Sequence, residues 1–208
     1  MTRRSVTLRA EDGVDLEGEL ALPEGAAAIA VVLCHPHPQF GGSMRSLVTS
    51  VLFTELAAAG YPCLRFNFRG VERSAGEYSE GKHEPLDVIA GISAMAEAAP
   101  FVPIAVVGWS FGADMALAVV DPRLSGWVAI APPLRFGTTF AAADDARPKH
   151  LILAEHDDFR APTEVREAVA RWTATTVAIV PGASHFFVGR TDAVVRETRA
   201  ALDRLTAG

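Results

Sequence analysis

Gly108-Trp109-Ser110-Phe111-Gly112 is the segment of this chain best suited to nucleophilic chemistry. Ser110 directly follows the apolar run Ile104 to Val107 and directly precedes the apolar stretch Ala113 to Val120, so it stands where a buried strand turns into a helix. A turn that sharp forces its middle residue into a strained backbone conformation, which presents the hydroxyl above the sheet. Glycine at 108 and 112 fits that picture, because a side chain at either position would clash where helix and strands crowd the turn. The helix start adds amide hydrogens and a positive dipole end beside the oxygen, which favours negative charge on a reacting group. The chemistry this allows is attack on an acyl carbonyl through a covalent acyl-enzyme.

Such a serine needs a sheet beneath it, and the chain supplies one. Short β-rich apolar runs recur at Ile29 to Cys34, Cys63 to Phe66, Ile104 to Val107, Trp127 to Ile130, Leu151 to Ala154 and Val177 to Val180, apolar on both faces as a covered parallel sheet requires. Before them, Leu8 to Leu22 carries Asp12-Gly13 between two alternating stretches, the turn chemistry of an antiparallel hairpin. Helical spacing fills the gaps. Val48, Val51, Leu52 and Leu56 share a face that Gly60 and Pro62 end, Val165, Ala168, Val169 and Trp172 share another, and the last helix turns Val194, Val195, Thr198, Leu202 and Leu205 inward with Asp192 and Arg196 spaced to pair outside. The expected fold is α/β: a mostly parallel central sheet with an antiparallel N-terminal hairpin and helices on both faces.

Five segments in order carry a resemblance: His35-Pro36-His37-Pro38 with Gly41-Gly42, Arg65 to Gly70, Gly108 to Gly112, Glu155-His156-Asp157, and Gly182 to Phe187. They resemble the α/β-hydrolase family, in its small, lidless, dienelactone-hydrolase-like branch. The resemblance implies the order serine, acid, histidine, with acid and base on loops after the last two strands. His185 follows Val177 to Val180 and a Pro181-Gly182 turn, which sets it at a strand's carboxyl end as the base. For the acid, Asp157 and Asp158 are adjacent. Counting from the strand end, where the family usually has glycine and this chain has Ala154, selects Asp157; counting back from Pro162 selects Asp158. The strand end is the better-fixed reference, so Asp157 is preferred.

The family also supplies an oxyanion donor from the loop after the first parallel strand, here Cys34 to Gly42. Pro36 and Pro38 carry no N–H, so that donor is His37, or else Gln39 or Phe40, and Phe111 supplies the second amide. His35 and His37 suggest a metal only if a third ligand joins them, and no partner cluster is visible, so neither metal nor cofactor is expected. In the Arg65 to Gly70 loop, Gly70 relieves a turn and Arg69 anchors the segment. The implied reaction is hydrolysis of small carboxylic esters by Ser110, His185 and Asp157. Thioester hydrolysis, acyl transfer or perhydrolysis by the same residues, or a non-catalytic binding protein of the same fold, are the alternatives. The stretch from Pro132 to Lys149 is too short for a cap, leaving an open mouth whose candidate lining is Phe40, Phe136, Phe159 and Phe186, unless these are core residues; small or aromatic acyl groups would suit it.

With 208 residues, half of them hydrophobic, the chain has the size of a single domain. A net charge of -6 with scattered basic residues lacks the field that nucleic acid requires. The longest apolar run, Ala26 to Cys34, is too short to cross a bilayer, and no signal core opens the chain, which predicts a cytoplasmic protein without membrane partners. Cys34 and Cys63 lie in buried runs and read as inert thiols. The partner these features point to is a small acyl ester or thioester substrate; they specify no oligomeric state.

Overall fold

The Asp12-Gly13 turn closes a long hairpin. In the computed structural model, which describes residues 1–136 and 140–206, β1 (Thr2–Arg9) pairs antiparallel with β2 (Asp15–Leu22) from Thr2 opposite Leu22 to Arg9 opposite Asp15, and Gly13 supplies the positive φ of +86° that the turn demands. The ribbon starts six residues before the expected Leu8. β1 reads Thr-Arg-Arg-Ser-Val-Thr-Leu-Arg, an edge strand exposed along most of its length, so it carries little of the apolar alternation by which a strand is recognised.

The chain then alternates: β3 (Ala30–Cys34), α1 (Leu47–Ala58), β4 (Cys63–Phe66), α2 (Glu84–Ala98), β5 (Ile104–Trp109), α3 (Phe111–Leu117), β6 (Leu124–Ile130), β7 (Lys149–His156), α4 (Pro162–Ala168), β8 (Thr175–Ser184) and α5 (Thr191–Thr206). The strands form one sheet in the order β1-β2-β4-β3-β5-β6-β7-β8, parallel from β4 to β8. From β3 the chain first steps outward to β4 and then back past β3 to β5. That reversal opens a crevice beyond the carboxyl ends of β3 and β5, where ligands bind in open α/β sheets.

Both faces of the central strands are covered, which is why β3 and β5 are apolar and buried at every position. Val32, Val106 and Leu64 face the core shared with α2 and α3, while Val31, Leu33, Ala105 and Val107 face the core shared with α1 and α5. Each such side chain is fully buried, a contribution of about 1.5–3 kcal/mol for each valine and leucine among them. Cys34 and Cys63 are free, buried thiols on opposite faces, and burial pushes both above the ordinary thiol range.

Several elements differ from the sequence reading. α2 was not located by the periodicity, and it carries two buried acids, Glu84 and Asp87. α3 stops at Leu117, short of Val120, and α4 ends at Ala168, whose side is exposed while Val165 and Val169 are buried. On α5, Arg196 lies 3.5 Å from Glu197 and makes no ion pair with Asp192 among the described residues. Pro181-Gly182 is a bulge inside β8 rather than a turn after it. Ala154 pairs with Val180 and His156 with Ser184, so the single β7 residue Glu155 lies opposite three residues of β8, Pro181 to Ala183, and the strand pair continues past the irregularity.

Arg69 is an anchor, as its loop position suggested. Its guanidinium, only 4% exposed, pairs with Asp87 of α2 at 2.6 Å and with Asp12 of the hairpin at 2.7 Å. Removing either carboxylate would leave the buried guanidinium with one charge partner instead of two. No helix among the described residues is long and apolar enough to cross a membrane.

Candidate active site

The β5–α3 junction bends so tightly that only glycine fits two residues before and two residues after Ser110. A Cβ on Gly108 would come 2.2 Å from the Gly112 carbonyl oxygen, and one on Gly112 would come 2.4 Å from Cys34 O and 2.5 Å from His35 O. Ser110 itself holds φ +55° and ψ −122°, a conformation that costs a non-glycine residue on the order of 1–3 kcal/mol. Its amide donates to Ile130 O at 2.8 Å, which fastens the strained residue to β6. The hydroxyl is thereby held at the crevice end of the sheet.

The bulge in β8 determines where His185 goes. Emerging one residue after β8, its Nε2 lies 2.9 Å from Ser110 Oγ and its Nδ1 lies 2.8 Å from Asp157 Oδ2. A carboxylate only accepts, so Nδ1 carries the proton and Nε2 is left to accept from the serine hydroxyl. The Trp109 indole N–H donates to the His185 carbonyl at 3.2 Å, and the Phe159 ring lies 4.3 Å from the imidazole. Of the adjacent carboxylates, Asp157 is turned in with its side chain 5% exposed, whereas Asp158 is exposed. Asp157 Oδ1 accepts from the amides of Phe159 and Arg160, so its other oxygen is aimed at the histidine.

Among the three amides considered for the β3 loop, the hydrogen bonds separate the candidates. Gln39 N–H donates to His37 Nδ1 and Phe40 N–H to His37 O, while His37 N–H has no partner among the described residues. Phe111 N–H, at the start of α3, is likewise uncommitted among them. His35 orients the His37 amide. Phe68 N–H donates to His35 Nε2 at 3.0 Å, which leaves the ring proton on Nδ1 to donate to Pro36 O at 2.6 Å. Pro36 C=O and His37 N–H share one planar trans peptide, so holding the oxygen turns the N–H the other way. Both nitrogens of each imidazole are engaged, His37 through Gln39 and through Tyr78 Oη at 3.0 Å, and neither ring has a nitrogen to spare for a metal.

Above Ser110 and His185 opens a cleft of about 390 Å³. Phe40, Leu47, Trp109, Phe159 and Phe186 line it, together with His37, and among the described residues no acidic, lysine or arginine side chain does. Phe40 and Phe186 are more than half exposed at its rim. Phe136 requires a correction: it is not among the lining residues, because it packs edge-on against His37 at 4.8 Å and against Phe111 at 5.4 Å, behind the loop.

Sequence reasoning overlooked Asp114, one turn beyond Ser110. Fully buried, it accepts from the amides of Leu134, Arg135 and Phe136, each at 2.9 Å, and so fastens the segment after β6 beneath the site. Burial pushes its pKa up to about 7, against the lowering effect of those three amides. Arg160 grips the same segment through Pro133 O and Leu134 O. The only signal for Asp114 was an acidic residue in an otherwise apolar helix. The segment between β6 and β7 contains just one short 3₁₀ turn, Ala141–Asp144, among its described residues; residues 137–139, within the stretch read as capless, lie outside them.

No family model matches the chain. It is similar over 97% of its length, and over 95% of the other chain, to a crystal structure of an α/β hydrolase of unknown function from Agrobacterium tumefaciens, at 30% identity and a TM-score of 0.85. A Xanthomonas campestris α/β serine hydrolase without a lid is similar over 98% of this chain and 95% of its own, at 26% identity and a TM-score of 0.87. An uncharacterized protein of Rickettsia prowazekii is 28% identical over 190 residues, covering 85% of this chain and 79% of that protein. The chain belongs to the α/β-hydrolase family. Within it, the chain matches the small serine hydrolases that lack a lid.

Proposed function

We propose that the protein hydrolyses small, uncharged carboxylic esters through an acyl-enzyme on Ser110. The observation that carries this reading is the unbroken line from Ser110 Oγ through His185 to Asp157, with bonds of 2.9 and 2.8 Å beneath an apolar cleft. His185 Nε2 takes the serine proton as Oγ bonds to the carbonyl carbon, and Asp157 stabilises the imidazolium that forms. The carbonyl oxygen, now negative, accepts from the amides of Phe111 and His37. Each such donor is typically worth about a hundredfold to a thousandfold in rate. Collapse breaks the ester C–O bond, and the departing alkoxide receives the proton from Nε2. Water then gives its proton to the same nitrogen, attacks the acyl carbon and releases the acid, restoring the serine.

The cleft's lining favours esters over larger thioesters bearing phosphates, since among the described residues it offers no lysine or arginine to meet a phosphate. A fluorophosphonate probe tests the reading. Rapid labelling of wild type and none of Ser110→Ala is the expected result; a folded wild type that stays unlabelled would favour a binding protein that kept the fold.

A further inference from the structure

We infer that Tyr78 is a positioning residue for the oxyanion amide of His37, acting through the His37 imidazole; the inference rests on the ester-hydrolase reading above. Tyr78 belongs to the segment between β4 and α2 and is not among the cleft-lining residues. Its hydroxyl lies 3.0 Å from His37 Nε2. The opposite nitrogen tells which partner donates. A backbone N–H can only donate, and Gln39 N–H reaches His37 Nδ1 at 3.2 Å, so Nδ1 presents a lone pair and the neutral ring has its proton on Nε2. That proton is donated to Tyr78 Oη. Burial, with the Arg135 charge nearby, pushes the His37 pKa down and keeps the ring in this neutral form.

The two bonds hold different things. Gln39 lies in the same loop as His37, so its bond shapes the loop without locating it. Tyr78 comes from another segment and ties the ring to the body of the protein. Otherwise the ring meets apolar neighbours: Phe40 and Phe136 at 4.8 Å and Phe111 at 5.2 Å between centroids. Such contacts tolerate sliding and rotation, whereas a hydrogen bond weakens steeply off its axis.

Tyr78 has the firm base that this role demands. Gly70, at φ +73°, approaches so closely that a Cβ there would come 3.0 Å from Tyr78 N. One residue further on, the Ser79 amide and hydroxyl and the Gly81 amide all donate to the buried carboxylate of Glu84. The Pro36–His37 peptide is thus held twice, by His35 at the Pro36 carbonyl and by Tyr78 through the His37 side chain. Tyr78 touches no reacting atom.

The test compares wild type, Tyr78→Phe, His37→Ala and the double variant on one activated short-chain ester, with each rate normalised to the fraction of Ser110 that a phosphonate titrates. Affinity for a trifluoromethyl ketone, which forms an oxyanion on Ser110, is measured alongside. Tyr78→Phe should lower kcat about tenfold or more while KM stays within about twofold, because the donor is misaimed rather than lost. The ketone should weaken by a similar factor. His37→Ala, which keeps the backbone amide, should reproduce the loss, and the double variant should be no worse than the poorer single. An unchanged kcat, losses that multiply, or a kcat loss without a loss of ketone affinity would each overturn the inference. Absence of Ser110-dependent turnover in wild type would instead remove the ester-hydrolase reading, and this inference with it.

Discussion

His35 and Phe68 are joined across neighbouring strand ends by a 3.0 Å hydrogen bond from the Phe68 amide to His35 Nε2, which commits the buried imidazole to one tautomer. Burial pushes the His35 pKa down to about 3, so the folded protein keeps this ring neutral where an unfolded chain would protonate it. Between about pH 5 and 6.5 the unfolded chain therefore binds the extra proton, and stability falls as pH falls, by up to about 1.4 kcal/mol per pH unit for this group. His35→Leu removes the titration and should flatten the pH dependence of urea unfolding over that range relative to wild type. It should also lower stability at neutral pH, because Phe68 N–H and Pro36 O lose their partner at about 1–3 kcal/mol each. A variant as steep as wild type would contradict the assignment.

Asp114 predicts the opposite sign. Its pKa is raised to about 7 in the fold, so the folded protein holds the proton that the unfolded chain releases. Its contribution is fully present below the ordinary carboxyl value of 3.8 and is lost as pH rises through about 7. Asp114→Asn removes that loss, and its stability should rise more steeply with pH than wild type between about pH 5 and 7. Chemical denaturation at several pH values measures the difference. A shallower rise would mean that the three amides on the carboxylate outweigh its burial.

The two adjacent carboxylates should behave very differently. Asp157→Asn should cut turnover of an activated ester by about four orders of magnitude, since it leaves His185 in the wrong tautomer. Asp158, exposed and without a bond to His185 among the described residues, should tolerate the same change with little effect. Steady-state kinetics on both variants decides, and a loss at Asp158→Asn alone would transfer the role.

Acyl length should matter in a defined direction. A cleft of about 390 Å³ with an aromatic rim accommodates a short chain and leaves a long one trailing over Phe40 and Phe186 into water. Short-chain nitrophenyl esters should have the higher kcat/KM, and a preference for long chains would refute the proposed seat of the acyl group.

How much of this was legible beforehand follows from the kind of signal each feature emits. The central strand runs were readable because strands covered on both faces must be apolar at every position, and the elbow was readable because glycines stand two residues before and two residues after a serine at a change of period. β1 and α2 were not, since an exposed edge strand and a helix with buried acids both break the patterns by which elements are recognised.

Local chemistry along the chain thus determined the parallel sheet, the strained serine and the short set of residues able to serve it. Only the tertiary structure could turn Asp157 rather than Asp158 toward His185, leave the His37 amide free among the described residues while those of Gln39 and Phe40 are bonded, move Phe136 out of the cleft and bring Tyr78 to His37. Those outcomes depend on where separate segments meet, and the direction of a hydrogen bond between residues far apart in the chain leaves no trace in the spacing of either.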